Sequence, residues 1–162
     1  MLESWTTENK EILSFNERYS LMLSDRQKCP ISTLDTAAEC ILKYIELRGY
    51  NQNLKELVQK TNVPKSTFSK MKKDRNYKFD IKTLVALAIG LNIDTERFAL
   101  IEQKAGLSLN DSNEHVFYRL LIENHGALTK KQINDEFERL KFTVLAGNTR
   151  DKPNKKRQNI SH

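Results

Sequence analysis

The segment Leu54-Lys55-Glu56-Leu57-Val58-Gln59-Lys60-Thr61-Asn62-Val63-Pro64-Lys65-Ser66-Thr67-Phe68-Ser69-Lys70-Met71 decides the fold. Leu54, Leu57 and Val58 recur at helical spacing, and Asn53 ahead of them is a residue type suited to an N-cap. Pro64 opens a second helix, where its missing N–H costs no helical hydrogen bond. On that helix Phe68 and Met71 share a buried face, which leaves Lys65, Ser66, Thr67, Ser69 and Lys70 to project elsewhere. A connection of about three residues forces the two helices to cross steeply. Such a turn needs one residue with positive φ, and Asn62 is the best choice after glycine. Val63 follows as the apolar plug between the helices.

The same periodicity continues on both sides. Asp35 reads as the cap of a helix carrying Ala38, Ile41, Leu42 and Ile45, stopped at Gly49 by a left-handed residue. Downstream, Asp80 caps Ile81, Leu84, Val85, Leu87, Ala88 and Leu91, and Asp94 caps Phe98, Leu100 and Ile101 before Gly106. Two further stripes follow: Val116, Phe117, Leu120 and Leu121 before Gly126, then Ile133, Phe137 and Leu140 after Thr129. Upstream, Thr7 is a candidate cap for Ile12, Phe15, Tyr19, Met22 and Leu23, and residues 24–33, with Pro30, read as a linker. Only residues 142–145 suggest a strand, so the expected class is all-α. The expected division is an N-terminal amphipathic helix and linker (1–33), a helical domain (34–106), a C-terminal helical extension (107–147) and a basic tail (148–162). The tail is too polar to offset chain entropy and is expected to be disordered.

Charge is unevenly placed. The net charge of the chain is +6, and residues 51–82 alone carry nine basic and three acidic side chains, also a net of +6. The tail adds a net of +4, while residues 1–50 and 83–147 are each at −2. A basic patch on a slightly acidic body suits a polyanionic partner, and a solvated face with no partner is the other reading.

The segment 54–71, followed by Thr83-Leu84-Val85-Ala86-Leu87-Ala88 and Leu91-Asn92-Ile93-Asp94, resembles the lambda-repressor and Cro-like (XRE-type) family of helix-turn-helix regulators. The resemblance covers roughly residues 35–106 and implies that family's five-helix domain, here with additional N- and C-terminal helices. It also implies sequence-specific binding of double-stranded DNA by a homodimeric transcriptional regulator, with the second motif helix in the major groove. Carried over by position, Lys65, Ser66 and Thr67 are candidates for base or nearby phosphate contact, with Ser69 and Lys70 on the same helix. Lys72, Lys73, Arg75 and Lys78 are candidate phosphate contacts at its exit. Three positions depart from the family: Leu54 stands where many members carry a DNA-contacting glutamine, Asn62 where glycine is frequent, and Phe79 where proline is frequent. The departure at Leu54 leaves room for a second reading, a protein- or RNA-interaction module that keeps the repressor-like fold.

Other chemistry finds little support. His115 and His125 lack metal-spaced neighbours, and no Gly-rich phosphate loop or nucleophile elbow is present, so neither enzyme activity nor a cofactor or metal is expected. Cys29 and Cys40 read as a loop residue and a small core filler rather than a disulfide or zinc pair. Without an apolar run of about 18 residues or a signal-like start, a cytoplasmic protein without a membrane span is expected. The C-terminal stripes could extend the core, form a dimer interface, or offer a groove to a protein partner.

Overall fold

A computed structural model of the chain describes residues 14–124 together with Lys131, Gln132 and Asp135. Seven helices and no strand are found among these residues: α1 Phe15–Lys28, α2 Ala37–Leu47, α3 Leu54–Thr61, α4 Lys65–Lys73, α5 Ile81–Gly90, α6 Thr95–Lys104 and α7 Asn113–Asn124. The chain is all-α. The expectations for Thr7, Ile12, His125, Gly126, Thr129, the stripe Ile133, Phe137 and Leu140, residues 142–145 and the tail lie outside the described residues.

Local chemistry sets most helix ends. Asp80 accepts from the Thr83 N–H at 2.8 Å and Asp94 from the Arg97 N–H at 3.0 Å, each satisfying a donor that the helix leaves unpaired. Gly49 and Gly106 adopt φ of +82° and +72° just beyond α2 and α6. Two starts differ from the sequence expectation. α2 is capped by Thr36, not Asp35: Thr36 and Glu39 form a reciprocal capping box, while the Asp35 carboxylate accepts from the Ser32 N–H and from Lys43. α1 begins at Phe15 behind an extended Ser14, which forms a second such box with Glu17.

The proposed linker over residues 24–33 is helical as far as Lys28. Its polar side chains are used for docking rather than solvation. Asp25, 2% exposed, receives both terminal nitrogens of Arg48 at 2.7 Å. Arg26 forks onto Asp94 and also reaches Glu96. Burial would raise the Asp94 carboxyl, but hydrogen bonds from Arg26 and from the Arg97 N–H outweigh it and hold it low. Cys29, expected in a loop, is buried at the end of α1, where its carbonyl accepts from Arg97 at 2.9 Å.

α5 is the central helix. Every residue from Thr83 to Gly90 is buried, and the helix packs against α3 on one side and α7 on another. α2 packs on α4 and α6, contributing Ala38, Ile41, Tyr44 and Ile45 to the core. The core is continuous from Cys29 into α7. On α7 the buried residues are Tyr118, Leu121 and Ile122, while Val116 and Leu120 are exposed, so the helix is turned from the expected stripe. Tyr118 can occupy the inner face because its hydroxyl donates to Glu114.

Candidate nucleic-acid interface

α3 and α4 are held together by a compact turn. Asn62 takes the left-handed conformation at φ +61°, and its N–H donates to the Val58 carbonyl at 2.7 Å. Thr61 then staples the corner: its hydroxyl donates to the Leu57 carbonyl at 2.8 Å and accepts the Val63 N–H at 3.1 Å. Val63 is fully buried, as a plug between the helices requires. Pro64 flanks α4 as its N-cap, and its carbonyl accepts the Thr67 N–H.

Phe68 and Met71 anchor α4, with 0% and 1% exposure. Burial of either side chain stabilises the attachment by about 1.5–3 kcal/mol. Their positions turn Lys65, Ser66, Ser69, Lys70 and Lys73 outward at helical spacing, and all five are exposed. Lys72 is exposed as well, whereas Thr67 is half-buried and contributes only part of its side chain to the open face.

The electrostatics of this face are one-sided. Lys65, Lys70, Lys72 and Lys73 make no ion pair with any described carboxylate. Lys70, Lys72 and Lys73 lie in the last turn, where the helix dipole favours cations; Lys65 lies at the positive first turn, which has no acidic residue and no side-chain cap. A helix start of this kind accommodates an anion. Mutual repulsion among these ammonium groups is relieved when a polyanion binds.

Two basic residues near this face are already engaged. Arg75 places Nε and Nη2 on the Glu39 carboxylate at 2.9 and 3.1 Å, and Nη2 also donates to the Leu34 carbonyl. That pairing pulls Glu39 down to about 2, with the Thr36 N–H as the second cause. Lys60 bonds to the Tyr50 hydroxyl and lies over its ring. Lys78 is exposed without a described ion pair, next to Tyr77 and Phe79, whose rings meet edge to face at 4.9 Å. The candidate contacts therefore divide into an open group on α4, with Lys78 nearby, and an Arg75 committed to α2.

Sequence reasoning gave Thr61 only a place in the turn and passed over Gly90, yet these two position the whole arrangement. A Cβ on Gly90 would collide with the Thr61 γ-methyl, so α5 approaches the end of α3 at a distance only glycine permits. Leu54 is partly buried against the core and carries no hydrogen-bonding group to a partner. His115 accepts the Asn110 N–H through Nδ1 at 3.0 Å, which organises the loop before α7. Among the described residues no group of three or more His, Cys, Asp or Glu could hold a metal, and no helix is long and apolar enough to cross a membrane. No protein-family model, curated protein or solved structure matches this chain.

Proposed function

We propose that the chain is a sequence-specific double-stranded DNA-binding protein of the repressor-like helix-turn-helix type, acting as a cytoplasmic transcriptional regulator. The observation that carries this reading is the exposed face of α4. Five residues, Lys65, Ser66, Ser69, Lys70 and Lys73, share it, while Phe68 and Met71 fix the opposite face in the core. A helix with side chains is about 10–12 Å across, and the major groove is about 12 Å wide. Lysine ammonium groups donate to guanine O6 and N7, and serine hydroxyls both donate and accept, so the face suits base edges. Lys72, Lys73 and Lys78 would lie against phosphates. Arg75 is the weakest of the candidate contacts, because it would have to leave Glu39.

A homodimer fits this reading, since two half-site readers double the contacts. On α1, Phe15, Tyr19 and Leu23 recur every four residues at 82%, 55% and 48% exposure, a surface that a second copy would cover. The same stripe favours the second reading, a protein-interaction module, and salt separates the two. Anisotropy titrations of a labelled duplex between about 50 and 200 mM salt should give a log–log slope of about −0.9 per neutralised phosphate. Replacing Lys72 or Lys78 by Ala should make that slope shallower by about 1 for each phosphate no longer neutralised. Salt-insensitive capture of a protein, with no duplex bound at any salt, would support the interaction module instead.

A further inference from the structure

The α4 face leaves unexplained a cavity on another part of the molecule. Between α6, α7 and the segment that joins them lies a space of about 310 Å³. Phe98, Ala99, Leu109 and Ile122 give it apolar walls, and its charged lining residues are Glu102, Arg119 and the exposed Glu123. Glu102 and Arg119 are unequally satisfied. Arg119 donates to the Asn110 carbonyl and to Asp111. Glu102 is different: its Oε2 is buried and has no hydrogen-bond partner. A buried carboxylate oxygen without a donor costs free energy that a bound donor recovers, and a cationic donor recovers most.

We propose that this cavity is a binding site for a small amphipathic amine, with its apolar body against Phe98, Leu109 and Ile122 and its ammonium group on Glu102. The volume lies at the lower end of the range for small-molecule sites, enough for a single ring with a short chain. The walls explain the apolar part of the ligand. The unpartnered carboxylate explains the charge: a ligand without a donor would leave Glu102 unsatisfied, an anion would be repelled, and a cationic donor satisfies it most fully. The site shares no residue with the α4 face, so its occupancy is measurable whether or not the protein binds DNA.

The test uses 2-phenylethylamine, its neutral isostere 2-phenylethanol and the anion phenylacetate, titrated into the ¹⁵N-labelled full chain. The amine should shift the amides of Glu102, Leu109 and Ile122 saturably and bind at least about fivefold tighter than the alcohol, because both donate to the carboxylate but only the amine brings an opposite charge. Phenylacetate should bind most weakly. In Glu102→Gln the amine and the alcohol should become equal, with the dispersed spectrum reporting an intact fold. A second variant at the exposed rim, Ala99→Phe, should block both ligands. The proposal is overturned if none of the three ligands shifts these amides saturably. It is equally overturned if the amine keeps its advantage in Glu102→Gln, or if Ala99→Phe binds as the parent does.

Discussion

The γ-methyl of Thr61 occupies the space in which a β-carbon on Gly90 would lie. The end of α3 and the end of α5 meet at this point, and Thr61 cannot simply rotate aside. Its hydroxyl is held at one end by the Leu57 carbonyl and at the other by the Val63 N–H. Gly90→Ala must therefore either break those bonds or push α3 from α5. Overpacking costs about 1–3 kcal/mol, and the better helix propensity of alanine returns about 1 kcal/mol. A net loss of about 0–2 kcal/mol, toward the upper end for so close an approach, is expected from urea unfolding. Thr61→Ser keeps the hydroxyl and removes the methyl, so the double variant should recover most of that loss. A neutral Gly90→Ala alone would show that the contact is not tight.

The Asp25–Arg48 pair joins α1 to the end of α2. Arg48 also donates to the Leu91 and Asn92 carbonyls, so one guanidinium gathers α1, α2 and the α5–α6 connection. Asp25→Ala leaves that cation in place without its carboxylate, at a cost of about 3–5 kcal/mol. Replacing both residues by apolar ones of similar size should cost clearly less, because no unpaired charge remains. Denaturant midpoints of the two variants measure the difference, and equal losses would mean that the cost comes from losing the pair's contacts rather than from stranding the Arg48 charge.

The Glu39–Arg75 pair gives a pH signature. The folded carboxyl titrates near 2 against an ordinary 4.5, so it favours the folded state above the ordinary value. That contribution is lost as the pH falls from about 4.5 toward 2. A carboxyl-carbon NMR titration should find the low midpoint in the parent. Arg75→Ala should raise it only part of the way, because the Thr36 N–H still donates to Glu39. A parent midpoint near the ordinary value would remove the argument that Arg75 is committed to α2.

These predictions separate what the sequence carried from what it did not. Asn62, Gly49, Gly106, Asp80 and Asp94 were legible because each acts on its own turn of backbone. Phe68 and Met71 were legible because their three-residue spacing turns both to one face. Asp25, Arg26 and Arg97 were not: a polar residue bound to a distant helix looks the same in sequence as one facing water. Gly90 carried no turn or helix-end signal, since its role depends on Thr61, brought close only by packing. Tyr118 was passed over for Val116 and Leu120, because hydrophobicity ranks a tyrosine behind them until Glu114 takes its hydroxyl. On α4 the residues themselves were readable, but the half-burial of Thr67 and the engagement of Arg75 required the fold.

The α4 face remains the centre of the account, and selection from a random duplex library tests it most directly. The parent protein should enrich a defined motif, arranged as two half-sites about one helical turn apart if it binds as a dimer. Lys65→Ala combined with Lys70→Ala should abolish that enrichment while the far-ultraviolet spectrum keeps its helical shape. Enrichment of the same motif by the double variant would contradict the assignment of α4 to the groove, and the absence of any motif with the parent would contradict sequence-specific DNA binding.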